Sequence, residues 1–117
     1  MFKHKPAPDT YPAYFETYTK LVDDVPVLEA LRNHLEQNSL FWEGISEQHS
    51  LKSYAPGKWS IKELFLHVID TERIFAYRAL AFARGEKAAL PGFDHDEYVK
   101  QSRANQRPWL QLLAEYK

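Results

Sequence analysis

The chain has no cysteine, no excess of either charge and no long apolar run, and each absence removes a class of function. Without cysteine there is no disulfide framework and no thiolate for metal or redox chemistry, so any metal site must be built from His, Asp and Glu. Fifteen Lys and Arg against sixteen Asp and Glu leave a formal charge of −1. That balance carries no basic stripe of the kind that binds nucleic acid. No stretch approaches the roughly 20 apolar residues of a membrane span. The opening M-F-K-H-K-P-A-P-D lacks the apolar run of a signal peptide. The expectation is a soluble, cytoplasmic protein with neither nucleic-acid nor membrane partners. Internal repeats, low-complexity tracts and strand-like alternation are also missing, so the expected class is all-α.

What is present suffices for a core. The 117 residues are 44% hydrophobic and 15% aromatic, and their number suits a single domain, 1–117. Residues Met1 to Asp9 read as an extended N-terminal arm. Pro12 opens a short helix through about Leu21, with Tyr14, Phe15 and Tyr18 at helical spacing. A first long helix starts at Pro26, preceded by Asp23 and Asp24, which suit its positive end. Leu28, Leu31, Leu35, Trp42 and Ile45 give it a bundle seam. Asn38 interrupts that seam, as a register-fixing polar residue or through a slight rotation of the stripe rather than as a ligand, His34 borders it, and His49 falls in an exposed loop. Pro56-Gly57 marks a turn. Ser60 and Glu63 then form an S-x-x-E capping box, with Trp59 just before it and able to pack back on Leu64. This second helix is expected to run to Arg84 and stop at Gly85. Its apolar face is Ile61, Leu64, Phe65, Val68, Phe75, Ala79 and Phe82. Asp94 and Glu97 repeat the capping pattern for a helix through Ser102. Pro108 opens a third bundle helix bearing Trp109, Leu112, Leu113 and Tyr116.

The lengths do not balance. Ten residues from Pro108 span roughly 15 Å, against about 30 to 36 Å for each long helix. An up-down bundle with a short third helix and no fourth is incomplete. Either the natural chain continues beyond Lys117, or two copies form a homodimer through the open face.

The second helix carries the candidate site. His67 lies at the edge of the apolar arc, with Thr71, Ile74 and Arg78 on the same flank. Glu72 falls inside the arc, near Phe65, Val68 and Phe75, where a carboxylate needs a partner or a shifted pKa. Arg73 and Arg78 are the cations within reach, and Asp70 and Arg73 point to other faces. Taken alone, His67 is either a hydrogen-bonded structural histidine or a metal ligand. A transition-metal site needs three or four donors, and there is no H-x-x-x-H or H-E-x-x-H pair. His95 reads as an exposed residue rather than a ligand. No Ser-His-Asp constellation and no Gly-rich phosphate loop occur.

The blocks Y-A-P-G-K-W-S-I-K-E, H-V-I-D-T-E-R-I-F-A-Y-R-A-L, A-R-G and L-P-G-F-D-H-D-E-Y-V, in this order, resemble the DinB-like superfamily of bacterial four-helix bundles. That superfamily includes metal-dependent hydrolases and bacillithiol-transferase-like proteins. The likeness runs from about Tyr11 to the chain end and is densest from Tyr54 to Val99. It implies a DinB-like bundle with a divalent metal, zinc or nickel, held by three histidines. His67 matches the first. The other two form an H-x-x-x-H on the fourth helix and have no matching position here; the family pattern sets them beyond Lys117. Asp70, Glu72 and Arg73 look like residues able to orient such a site, and Tyr77 and Arg78 could do the same.

Two functions follow. One is a metal-dependent hydrolase or thiol S-transferase acting on a small molecule, with this chain alone expected to be inactive. The other is a non-catalytic helical protein that dimerises through its open bundle face.

Overall fold

A computed structural model describes residues 4–117. Among the described residues six α-helices account for the regular structure: α1 Glu16–Thr19, α2 Val27–Glu43, α3 Glu47–Ser50, α4 Ile61–Ala83, α5 His95–Ser102 and α6 Trp109–Tyr116. Single 3-10 turns occupy Pro8–Thr10, Ala13–Phe15 and Ala104–Gln106. Among the described residues there is no strand, only an isolated bridge between Ser53 and Ser60. The class is all-α. The chain divides into two compact units, Met1–Trp42 and Glu43–Lys117.

In the first unit, part of the expected arm (Met1 to Lys3) lies outside the described residues. The rest is tied down: the Lys5 N–H donates to Asp24 Oδ1 at 3.0 Å and Lys5 Nζ donates to the Val22 carbonyl at 3.2 Å. The helix expected from Pro12 is split, a 3-10 turn running into the one-turn α1. Tyr14 and Tyr18 still meet one turn apart, with ring centroids at 5.8 Å. Pro26 starts α2 as expected, its carbonyl accepting from the Glu29 and Ala30 amides. Leu31, Leu35 and Asn38 of its seam are exposed.

Every buried residue among those described lies in the second unit. Ser60 caps α4 with a complete capping box: its Oγ accepts from the Glu63 amide at 3.1 Å, and Glu63 Oε2 accepts from the Ser60 amide at 2.7 Å. At the other end Gly85 takes φ +73°, and the Glu86 and Gly85 amides bond the carbonyls of Ala81 and Phe82. This is a Schellman stop, and Gly85 is there because the left-handed conformation costs it nothing. Asp94 Oδ1 accepts from the Glu97 amide at 3.0 Å and fixes the start of α5.

The face that α4 buries overlaps only in part with the one its apolar spacing marks. Phe65, Leu66, Ile69 and the stem of Lys62 are buried, whereas Leu64, Phe75 and Phe82 are exposed. The axis is rolled toward Leu66 and Ile69 because α5, the 3-10 turn after it and α6 all pack on that side. Glu72, placed by spacing inside the apolar arc, is consequently exposed.

The core closes on Phe65, whose ring lies 4.7 Å from Trp109 and 5.2 Å from Tyr116. Beneath it sits a polar knot. Lys62 is 2% exposed, and its ammonium pairs with the Glu47 carboxylate and donates to the Arg107 carbonyl at 2.7 Å. The second oxygen of Glu47 accepts the Trp109 amide at 2.6 Å. One carboxylate from α3 therefore neutralises a buried cation on α4 and caps the positive end of α6, where Pro108 has no side-chain acceptor to offer. Ser60 Oγ donates to Asn105 Oδ1 at 2.6 Å and closes the same junction.

Lys62, and then the Trp109 amide, hold the Glu47 carboxyl below its usual range. A depressed carboxyl pKa contributes stability that is present above the unfolded value of about 4.3 and is lost as pH falls through the folded value. Glu47→Gln is therefore expected to lower the melting midpoint at pH 7, with the deficit against the parent chain shrinking below about pH 4. Thermal melts of both proteins between pH 3 and 7 check this. A deficit that stays constant with pH would show that the pair contributes no electrostatic stabilisation.

Candidate functional site

Two local start signals build the site. The capping box at Ser60 sets the phase of α4 and puts His67 two turns in; the Asp94 cap makes His95 the first residue of α5. Packing of α5 on α4 then brings the two imidazoles together. Their ring centroids are 5.9 Å apart. Trp59, immediately before the α4 cap, completes a triangle, 5.1 Å from His67 and 6.0 Å from His95. Trp59 is thus half-buried against histidine rings, and its neighbour Leu64 is exposed.

Burial pushes the His67 imidazole below its ordinary value, and the neighbouring His95 pushes it further. Asp70 and Asp96 pull the other way without reversing the direction. The shift favours the neutral imidazole, which keeps a lone pair on one ring nitrogen, the form in which imidazole binds a metal. Asp96 Oδ2 stands 3.9 Å from His95 Nε2, too far for a hydrogen bond. Thr71, one turn beyond His67 on the same flank, has a buried Oγ1 with no hydrogen-bond partner among the described residues. A cavity of about 570 Å³ opens beside Trp59, lined by Tyr54, Lys58, Leu64 and Asp96 among others.

The remaining residues singled out in the sequence separate into two groups. Asp70 and Arg73 lie with His67: Arg73 Nη1 is 3.5 Å from Asp70 Oδ1, and its Nη2 is 2.8 Å from Glu115 of α6. Burial raises the Asp70 carboxyl above its usual value, and Arg73 offsets part of that. Arg107 and then Arg73 hold Glu115 in its charged form. Glu72, Tyr77 and Arg78 do not join this group. Glu72 and Tyr77 are exposed, and Arg78 Nη2 donates to the Pro91 carbonyl at 2.8 Å, pinning the loop before α5.

His95 is the residue that reading along the chain undervalued. Its side chain is 59% exposed, as expected, yet it faces His67. The one signal available was the Asp94 cap, which fixes where α5 begins but not what it packs against.

The fold is all-α, and its most distinctive cluster is a pair of imidazoles against a tryptophan. The profile of the DinB superfamily matches residues 18–116, and the chain belongs to that superfamily. No curated protein and no solved structure matches it.

Because Trp59 packs on the site while remaining partly exposed, Trp59→Ala is expected to cost about 2 kcal/mol, below the roughly 3–5 kcal/mol of a fully buried aromatic. Chemical denaturation measures it; an unchanged midpoint would mean the three-ring cluster contributes nothing to stability.

Proposed function

We propose that the chain is a DinB-superfamily protein of the metal-dependent hydrolase or thiol S-transferase type, with His67 as a ligand to a divalent zinc or nickel ion. The observation that carries this reading is the setting of His67, half-buried on α4 against Trp59, with the buried, unpartnered hydroxyl of Thr71 one turn further along the helix. A divalent ion bound there would lower the pKa of a coordinated water or thiol toward neutrality.

The residues present do not make up a full catalytic centre. Among the described residues no three His, Cys, Asp or Glu side chains are grouped to hold an ion. The chain's own contributions are a neutral imidazole at His67, the Asp70–Arg73–Glu115 chain that fixes the flank of α4 against α6, and the adjoining cavity, which suits a small molecule.

A second reading is a non-catalytic helical protein that pairs with its own copy through an apolar face. Phe82 at 86% exposure and Leu110 at 77% favour it.

Elemental analysis of the untagged chain, with sedimentation of the same sample, separates the two. Near-stoichiometric zinc or nickel that is lost in His67→Ala, with helicity by circular dichroism unchanged, is the outcome expected of the first reading. Metal retained in His67→Ala removes it. A metal-free, concentration-dependent dimer favours the second.

A further inference from the structure

We propose that the cavity beside Trp59 binds a small aromatic carboxylic acid, its ring against Trp59 and Tyr54 and its carboxylate between Lys52 and Lys58. The inference rests on the functional reading in giving this cavity to a small molecule, and adds the class of that molecule; the binding itself needs no metal ion.

One wall of the cavity is a loop held at both ends. At its neck Ser53 bridges Ser60, and the Ile61 amide donates to the Lys52 carbonyl at 3.0 Å. At its tip the Lys58 amide donates to the Ala55 carbonyl at 3.2 Å. Pro56 at the second position of that turn and Gly57 at the third, with φ +73°, make it type II. A loop closed twice presents its side chains already ordered, which lowers the cost of binding.

The side chains on the lining are of two kinds. Tyr54 is 85% exposed although its loop is fixed, and Leu64 of α4 is exposed as well. Trp59 is half-buried and held in place by its contacts with the rings of His67 and His95. Aromatic and aliphatic surface is thus left open to water inside a concave wall, where a flat ring gains by burial. The volume of about 570 Å³ lies within the roughly 300–1,000 Å³ of small-molecule sites.

Charge selects the rest of the ligand. Lys52 and Lys58 line the cavity, and neither ammonium has a partner among the described residues, unlike Lys62, whose charge Glu47 neutralises. Asp96 is the one carboxylate on the lining. Two ammonium groups against one carboxylate leave a local charge of +1. A carboxylate monoanion cancels that charge, whereas a phosphate dianion overshoots it and is repelled by Asp96.

The test is titration of the full chain, kept metal-free with a chelator and followed by ¹H–¹⁵N chemical shifts. The probes are naphthoate, its uncharged amide and the dianion naphthyl phosphate. One saturable naphthoate site is expected, with the Tyr54 and Lys58 amides and the Trp59 indole N–H shifting together. The amide should bind at least about 10-fold more weakly, the discrimination that a charge-assisted hydrogen bond gives. Lys52→Gln and Lys58→Gln should each weaken naphthoate binding about 5-fold and leave binding of the amide as it was. Tyr54→Ala removes a side chain too exposed to support the fold, and should weaken both. Equal affinity for naphthoate and its amide would overturn the proposal, as would tighter binding of naphthyl phosphate. So would shifts centred on Phe75, Phe82 or Leu110, or the lack of a saturable site. Chelation keeps the two readings apart: a metal-free chain that binds naphthoate sustains this site even where elemental analysis removes the metal. A metal-loaded chain that ignores naphthoate removes this site alone.

Discussion

The second unit is organised around one buried cation. Lys62 is almost wholly removed from water, and an ammonium in that position is tolerated only if something of opposite charge meets it. Glu47 does so from a helix of four residues whose other features are slight. The carboxylate itself is about half exposed, so the pair is not dry; solvent stabilises the anion while the lysine stem fills the core. Because the second Glu47 oxygen holds the Trp109 amide, the same charge that makes Lys62 burial possible also decides where α6 begins. Phe65 can then pack between Trp109 and Tyr116. Without the ion pair the roll of α4 toward Leu66 and Ile69 would have no counterpart on α3 or α6.

That roll is what the candidate site inherits. With α4 turned so that Lys62, Leu66 and Ile69 face inward, His67 comes to the border where α5 arrives, and Asp70 comes within reach of Arg73 and, through it, Glu115. A charge network on one side and an aromatic contact on the other confine the His67 flank of the helix. Glu72 is carried to the outside by the same rotation.

The parts of the structure legible in advance were those specified by neighbours in sequence. Ser60 with Glu63, Asp94 with Glu97, Pro26 and Gly85 each act through hydrogen bonds or dihedral limits a few residues long, so the start of α2 and the boundaries of α4 and α5 could be placed from the residues themselves, whereas the seam expected to reach Ile45 overran the end of α2 at Glu43. The resemblance to the DinB superfamily was legible for a related reason, since its blocks centre on the same caps and turns. What could not be read depends on partners distant along the chain. Lysine is among the residues least often buried, and nothing near Lys62 announces that Glu47 will meet it. The apolar spacing of α4 offers two overlapping arcs, and the choice between them is made by α5 and α6. His95 looked like a solvent-facing residue because exposure and proximity to another histidine are independent properties. The one-turn helix α3 is too short to leave a periodic signal.

The cap of α6 has a consequence for the order in which the chain folds. Its acceptor comes from a residue 62 positions upstream, whereas α4 and α5 are capped from within their own first turns. The two self-capped helices can nucleate as soon as their residues are available. The start of α6 gains its carboxylate only after a loop of that length has closed, and the entropy of closing it must be spent first. Helix α6 is therefore a late, cooperative addition whose helicity reports tertiary closure rather than local preference. In native-state hydrogen exchange the Trp109 amide should open together with Lys62 and Phe65, not with the fraying residues at the end of its own helix.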